Sequence, residues 1–185
     1  MESPQKLPAR KPNRLPDYDY STPGAYFITI CTQDRRPILG HVVGGGAFDA
    51  PKVALSKAGA IVRRFILSGN QMPGIRVDKF VIMPNHIHVI LMVDETAAGG
   101  TSRAPSPTNA VVPRFVSTLK RFSHRDLERV IFQRSYHDHV IRNEADYLKI
   151  WQYIDTNPAK WEADCFYTTE AGGQCLPTEE SGEYL

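Results

Sequence analysis

Two histidines stand at alternate positions where an apolar run begins. The stretch from Met83 to Val93 reads MPNHIHVILMV, and its imidazoles belong to His86 and His88. Alternate side chains of a β-strand point to the same face, so both rings would project together while Ile87 packs into a core. Two imidazoles that converge in this way are good ligands for a divalent metal ion. The alternative is that the pair only caps the strand end through local hydrogen bonds.

A second pair with the same spacing occurs at His137 and His139. The residue between them is Asp138, whose carboxylate cannot anchor a buried strand as Ile87 can. We therefore assign the metal to His86 and His88. We expect His137 and His139 to contact phosphate groups or solvent.

The stretch WQYIDTNPAKW offers a phenol and an oxygen ligand on one helical face. Tyr153 and Asn157 are four residues apart, which places them on the same side of a helix. Asn157 precedes Pro158 and so lies at the helix end, where its carboxamide oxygen is free to reach a metal. Tyr153 would then stand as a nucleophile beside a metal-polarised phosphate. Alternatively, Tyr153 simply borders the apolar stripe of this helix.

The elements that would position these side chains form an α+β pattern with an antiparallel sheet and helices packed on it. Residues 34–51 are rich in glycine and proline and indicate a loop with at most a short strand. A last short strand after residue 160 is compatible with the sequence. Hydrophobic periodicity predicts strands over 26–32, 75–82 and 86–93 and helices over 53–69, 114–125 and 144–156, the last capped by Asn143.

The charge of the chain is unevenly distributed. Residues 162–185 hold six acidic and no basic side chains, whereas residues 1–161 hold 22 basic and 14 acidic ones, a net charge of +8. A basic body with an acidic tail suits a nucleic-acid partner. Three cysteines without CxxC spacing indicate reduced thiols and a cytoplasmic protein. No apolar run approaches the roughly 20 residues that span a membrane.

Composition also suggests how the chain is divided. Residues 1–16 are basic and proline-rich, which predicts an extended arm. Residues 17–161 would form one domain, with a flexible connection at 94–113 that is rich in Gly, Pro, Ser and Thr. Residues 162–185 would form an acidic C-terminal tail.

Four segments, taken in order, resemble the REP-associated tyrosine transposases, relatives of the single-strand (HUH) transposases of small bacterial insertion sequences. The segments are RLPDYDYSTPGAYFITICT, VIMPNHIHVILMV, SYHDHVIRNEADY and YIDTNPAKW. HIH fits the family's His-hydrophobic-His signature, and YIDTN fits its Tyr-x-x-x-Asn (or Gln) signature. The resemblance covers most of residues 14–161, but not the glycine loop at 44–46, the 94–113 connection or the tail.

The resemblance implies a ferredoxin-like domain and a divalent metal, Mg²⁺ or Mn²⁺, held by His86, His88 and Asn157. Tyr153 would attack a phosphodiester of single-stranded DNA and yield a 5′-phosphotyrosine and a free 3′-OH. The expected substrates are DNA hairpins of the repetitive extragenic palindrome type with an adjacent guide tetranucleotide. The family includes monomers and dimers, and we expect a monomer here, with a homodimer also possible.

Basic and polar side chains along the chain are candidates for DNA contacts, either to phosphates or to bases. They are Lys6, Arg10, Lys11, Arg14, Arg114, Lys120, Arg121, Arg134, His137, His139 and Arg142.

Three other functions are compatible with parts of the pattern. One is a catalytically idle DNA-hairpin-binding protein of the same fold. Another is a metal-dependent phosphodiester hydrolase that uses the two histidines and an activated water. A third is an RNA-binding ferredoxin-like module, in which the histidine pair would have no role.

Overall fold

The structure is a computed structural model that describes residues 18–46, 49–98 and 110–167. The expected N-terminal arm, with Lys6, Arg10, Lys11 and Arg14, lies outside the described residues. So do residues 99–109 of the expected connection and the part of the acidic tail beyond residue 167. No helix of the described part is long and apolar enough to cross a bilayer.

The strands and α-helices are β1 Gly24–Cys31, β2 Gly40–Val43, β3 Lys52–Leu55, α1 Lys57–Ser68, β4 Ile75–Ile82, β5 His86–Val93, α2 Val111–Asp126, β6 His137–Ile141 and α3 Glu144–Thr156. A four-stranded antiparallel sheet forms the centre of the molecule, in the order β4-β5-β1-β6, and β2 pairs with β3 in a separate ribbon. Helix α1 connects β1, through that ribbon, to β4, and α2 connects β5 to β6. This is the βαββαβ arrangement of a ferredoxin-like fold, so the α+β prediction is confirmed.

The alternation of side chains along the central strands gives the sheet two buried faces. Ile87 and Val89 of β5 belong to the core that α1 and α2 cover. Ile90 of β5 and Phe27 of β1 belong to a second core, to which α3 contributes Ile154. Burying such side chains is worth about 1.5–3 kcal/mol each, which fixes the register of β5. The histidines therefore face α3, because they share the parity of Ile90.

Helix α3 begins and ends where its sequence predicts. The Asn143 side chain accepts a hydrogen bond from the backbone N–H of Asp146 at 2.8 Å, which is the N-cap interaction that Asn favours. The α-helical part ends at Thr156, and a 3₁₀ helix follows over Asn157–Ala163. No strand follows within the described residues, so the possible strand after residue 160 is not formed there.

Several elements differ from the predictions. Strand β1 covers Gly24–Cys31 where 26–32 is predicted, and β6 occupies a segment for which no strand is predicted. Residues 52–55 form β3 instead of the first turn of a helix, because Ser56 caps α1 by accepting from the Gly59 N–H at 3.1 Å. Helix α2 begins at Val111 rather than at Arg114, since Pro113 is tolerated in a first helical turn. The expected connection is therefore shorter than 94–113, and Glu95–Ala98 at its start is a 3₁₀ turn.

Candidate active site

The turn between β4 and β5 positions the histidine pair. The Met83 N–H donates to the His86 carbonyl at 2.8 Å, and the Thr32 N–H donates to the Asn85 carbonyl at 2.8 Å, so the turn is held from both sides. His86 and His88 are 0% and 1% exposed, and their ring centroids are 4.5 Å apart. Both imidazoles project to the α3 face, as the alternation predicts.

Asn85 determines which nitrogen of His86 carries the proton. Its amide Nδ2 donates to the carbonyls of Arg35 and Phe166 at 3.2 and 2.6 Å, which turns its Oδ1 toward His86 Nδ1 at 2.9 Å. An amide oxygen only accepts, so Nδ1 donates the hydrogen bond. Nε2 of His86 therefore presents a lone pair, and this buried atom has no hydrogen-bond partner.

His88 is oriented in the same way by a neighbouring strand. Its Nδ1 lies 2.8 Å from Thr29 Oγ1 on β1, and its Nε2 lies 3.3 Å from the Tyr153 phenol oxygen. When Nδ1 donates to the threonine, Nε2 is left as an acceptor that faces the phenol oxygen. In these tautomers the Nε2 atoms of both imidazoles carry the lone pairs.

Both imidazoles are held in the neutral form that binds metals. Burial, and then the charge of Arg35, lower the pKa of His86 to about 3. Burial, and then the proximity of His86, hold the pKa of His88 well below its ordinary value. The dominant cause in both cases is desolvation, which disfavours the charged imidazolium.

Tyr153 and Asn157 come to the histidines from α3 and the residue that follows it. The Tyr153 ring packs edge-on against Phe27, with centroids 6.2 Å apart. Asn157 is 1% exposed. Its Nδ2 donates to Asp164 Oδ2 at 2.9 Å, whereas its Oδ1 is buried without a hydrogen-bond partner. The structure thus brings Tyr153, Asn157 and both histidines to one place.

Asp164 joins this cluster, although the sequence predictions assigned it to the acidic tail. The ligand atoms of His86, His88 and Asp164 all lie within 4.8 Å of one another. Asp164 Oδ2 also accepts a hydrogen bond from the Tyr153 phenol at 3.4 Å. Burial, and then the negative charge of Asp164, raise the pKa of Tyr153 above its ordinary value, so the phenol is protonated at neutral pH.

The donor set fits a divalent cation. His86 Nε2 and Asn157 Oδ1 are buried acceptors without donors, and leaving such a group unpaired costs about 1–3 kcal/mol. A cation at this point would pair with both of them. Two imidazole nitrogens, a carboxamide oxygen and the Asp164 carboxylate form a mixed N/O set that suits Mn²⁺ and tolerates Mg²⁺.

Residues after α3 close the cluster off from solvent. The Phe166 ring lies 4.6 Å from the His86 ring, and the Trp161 ring lies 6.0 Å from it. The Arg35 guanidinium lies 5.3 Å from the Phe166 ring centroid. Asp164 and Phe166 are 7% and 4% exposed. The packed domain therefore extends beyond residue 161, where the sequence predictions ended it, through at least residue 166.

The second histidine pair lies at the edge of the same sheet face. His137 of β6 is paired with Thr29 of β1, which is in turn paired with His88. His137 and His139 are exposed, and His139 Nε2 lies 2.8 Å from an oxygen of Asp146. Contact of His137 and His139 with phosphate groups stays a prediction.

Lys120 differs from its expected role at a phosphate backbone. Its ammonium donates to the carbonyls of Gln133, Arg134 and Ser135 at 2.8, 3.2 and 2.8 Å. Three carbonyls use all three donors of an ammonium group, so this lysine holds the loop before β6. The other candidates of the described region, Arg114, Arg121, Arg134 and Arg142, are exposed.

No protein-family model matches the chain. An uncharacterized protein of Haemophilus influenzae is 32% identical over 176 residues, which cover 85% of this chain and 93% of the relative. A solved structure of the REP-associated tyrosine transposase bound to a REP hairpin is 18% identical, and the match covers 89% of this chain and 99% of that one with a TM-score of 0.56. The chain therefore belongs to the same family as the Haemophilus influenzae protein, and it has the fold of the REP-associated tyrosine transposase that its motifs resemble.

Proposed function

We propose that the chain is a transposase-type, metal-dependent single-stranded DNA endonuclease and strand transferase with Tyr153 as its nucleophile. The observation that carries this proposal is the position of the phenol, 3.3 Å from His88 Nε2, beside the unpaired acceptors His86 Nε2 and Asn157 Oδ1. A structural tyrosine would not need those acceptors next to it. The proposed substrates are DNA hairpins of REP type with an adjacent guide tetranucleotide, because the structurally similar transposase is bound to a REP hairpin.

His86, His88 and Asn157 would hold the divalent metal, Mg²⁺ or Mn²⁺, with Asp164 close enough to add a carboxylate oxygen. When bound, such an ion neutralises the scissile phosphate and stabilises the charge that develops on it. Neighbouring residues of the chain fix the orientation of the two imidazole rings before the ion binds. Thr29 and Asn85 orient the two rings through their Nδ1 atoms, which reduces the reorganisation needed when the ion binds.

The proposed reaction exchanges one phosphoester bond for another. The Tyr153 oxygen forms a bond to phosphorus while the bond from phosphorus to the 3′-oxygen breaks. The phenol proton passes to Asp164, whose Oδ2 already accepts a hydrogen bond from it at 3.4 Å, and the leaving oxygen takes a proton from water. The products are a 5′-phosphotyrosine and a free 3′-OH, and the reverse reaction rejoins strands because the covalent intermediate retains the ester.

Access of DNA to the two histidines requires the segment after α3 to move. His86 and His88 are almost completely buried, and Phe166 packs against both rings at 4.6 and 6.0 Å. A phosphodiester therefore reaches the two histidine rings only when Phe166 and its neighbours are displaced. Binding energy from the remainder of the DNA would drive this step.

The proposal is tested with a single-stranded oligonucleotide that carries a REP-type hairpin and a label at its 3′ end. After incubation with Mn²⁺ or Mg²⁺, a denaturing gel should show the labelled fragment attached to the protein. Tyr153→Phe should abolish this adduct, whereas Tyr147→Phe should retain it. Tyr147 is a matched control because it lies on the same helix but donates its hydroxyl to Asp78.

Each other result supports a different function. A labelled fragment with a free 5′-phosphate and no adduct indicates hydrolysis by an activated water. Hairpin binding without any cleavage, with both metals, indicates an idle hairpin-binding protein. An adduct that persists in Tyr153→Phe would show that another residue is the nucleophile.

A further inference from the structure

We propose that Arg35 binds the scissile phosphodiester on the side of the leaving strand and stabilises the negative charge that develops on the 3′-oxygen as it departs. This assignment rests on the proposed function, because it adds a residue to that reaction. Three observations carry it: the position of Arg35 relative to Tyr153, the backbone conformation of the turn that holds Arg35, and its contacts with residues after α3.

Arg35 lies beyond His86, at the end of the histidine pair that is farther from Tyr153. Strand β1 passes His88 first and His86 second, and the turn over Gln33–Arg35 follows the end of this strand. The Tyr153 phenol oxygen lies 3.3 Å from His88 Nε2. The charge of Arg35 instead acts on His86, where it adds to the effect of burial in lowering the pKa of the imidazole. Arg35 and Tyr153 therefore flank the histidine pair from opposite ends.

This placement matches the geometry of an in-line displacement. The attacking and leaving oxygens lie on opposite sides of phosphorus, so attack by Tyr153 directs the 3′-oxygen away from the phenol and toward Arg35. Negative charge gathers on that oxygen until it takes a proton from water. A guanidinium stays protonated at physiological pH and presents planar N–H donors to phosphate oxygens. Arg35 would thus stabilise the departing oxygen electrostatically without transferring a proton to it.

The turn that carries Arg35 adopts a backbone conformation that residues with side chains rarely adopt. Asp34 and Arg35 have φ angles of 56° and 52°, in the left-handed region. The Arg35 N–H donates to the Thr32 carbonyl at 3.1 Å, and the Arg35 carbonyl accepts from Asn85 Nδ2 at 3.2 Å. Strained residues that neighbours hold in this way cluster at functional sites. Asn85 also orients His86, so one side chain positions both the arginine turn and the histidine.

The Arg35 guanidinium contacts two residues of the segment that DNA has to displace. Its Nη1 donates to the Cys165 carbonyl at 3.5 Å, and its carbon lies 5.3 Å from the Phe166 ring centroid. The Phe166 ring in turn lies 4.6 Å from the His86 ring. Displacement of Phe166 therefore removes both contacts and leaves the guanidinium near His86, where a phosphate group can replace them.

The first test compares two leaving groups. Adduct formation in Mn²⁺ is measured in single-turnover experiments with the REP-type hairpin oligonucleotide and with a version whose scissile 3′-oxygen is replaced by sulfur. A thiolate leaves more readily than an alkoxide, since a thiol has a pKa of only about 8.5. Arg35→Ala is compared with Arg36→Ala, the matched control, because Arg36 is the next arginine along the chain and is exposed. Thermal unfolding checks that both variants are folded.

We expect Arg35→Ala to slow adduct formation by about 10²–10³-fold with the oxygen substrate, the usual effect of removing one donor to a developing charge, and by less than about tenfold with the sulfur substrate. Arg36→Ala should match the wild-type protein with both substrates. The affinity for Mn²⁺ should not fall in Arg35→Ala, because removing a nearby positive charge does not weaken the binding of a cation. Equal slowing with both substrates would overturn the proposal, and faster adduct formation would show that Arg35 only holds Phe166 in place.

A second measurement separates the failure of this proposal from the failure of the proposed function. The affinity of Tyr153→Phe protein for the oxygen substrate is measured in Mn²⁺ over a range of salt concentrations, with and without Arg35→Ala. Loss of one phosphate contact should make the slope of log K against log salt concentration shallower by about 0.7, the value for a single strand. An unchanged slope would overturn the proposal even if the wild-type protein forms the adduct. A shallower slope would support the phosphate contact even if it does not.

Discussion

The candidate site combines two neutral imidazoles, a carboxamide and a phenol with one carboxylate, that of Asp164. Burial keeps the pKa of His86 near 3, so its Nε2 lone pair is available at any physiological pH. Asn85 keeps the proton of the His86 ring on Nδ1, because its amide oxygen accepts a hydrogen bond from that atom. Metal affinity should therefore depend on residues that do not touch the ion.

Replacing Asn85 by Ala should lower the affinity for Mn²⁺ by about 10–100-fold, the usual cost of losing a hydrogen bond that orients a histidine ligand. Isothermal titration of the protein with the metal alone measures this. Asn70→Ala is the control, because Asn70 also accepts a backbone hydrogen bond, from Val77, but at an exposed position. Wild-type affinity in folded Asn85→Ala would contradict the assigned tautomer.

At the scale of elements, the site depends on how α3 docks on the sheet. Ile150 and Ile154 are each 1% exposed and pack in the core that contains Phe27 and Ile90. Tyr153 and Asn157 are carried on the same helix and its continuation. A loosened α3 would therefore move the phenol and the carboxamide oxygen away from the histidines together.

Ile154→Ala should lower the free energy of unfolding by about 2–4 kcal/mol, as expected for truncating a buried isoleucine, and should slow adduct formation in protein that remains folded. Leu148→Ala on the same helix should change stability by less than about 0.5 kcal/mol, because Leu148 is 56% exposed. Urea denaturation measures both. An equal decrease in the free energy of unfolding of both variants would contradict the packing of Ile154 between α3 and the sheet.

The elements explain which parts of the site could be predicted from the sequence. The alternation of β5 and the helical spacing of four determine which face His86, His88, Tyr153 and Asn157 occupy, since local periodicity controls both. Asp164 could not be predicted, because its position depends on the chain turning back over the sheet after α3. Lys120 is similar: its charge is visible in the sequence, but the three carbonyls that surround it come from a loop 13–15 residues away.

At the scale of the whole molecule, two neutral buried imidazoles couple folding to pH. The unfolded chain binds protons on both histidines below their ordinary pKa of 6.5, whereas native His86 does so only near pH 3 and native His88 well below its ordinary value. The unfolded state thus binds more protons as the pH falls below 6.5. The contribution of the two histidines to the free energy of unfolding is therefore fully present above this pH and is lost progressively on acidification.

In metal-free protein, the free energy of unfolding should fall between pH 6 and pH 5 by about 1.4 kcal/mol per pH unit for each such histidine. His86→Gln should remove the contribution of His86 and so flatten the dependence. Urea denaturation in the presence of a chelator, at several pH values, measures the slope. An identical slope in His86→Gln and in the wild-type protein would contradict the neutral, desolvated state of His86.

The helices on the two faces of the sheet differ in charge, and the proposed nucleophile, Tyr153, lies on the face covered by the acidic helix α3. The central claim is that Tyr153 forms the covalent bond to DNA, and locating that bond tests it most directly. Trypsin cuts after Arg142, Lys149 and Lys160 and so separates Tyr147, in residues 143–149, from Tyr153, in residues 150–160. The adduct formed with Mn²⁺ is trimmed with a nuclease and analysed by tandem mass spectrometry. We expect a nucleotide 5′-phosphate on Tyr153 in the peptide IWQYIDTNPAK. A nucleotide on any other residue, or cleavage without a modified peptide, would show that Tyr153 is not the nucleophile.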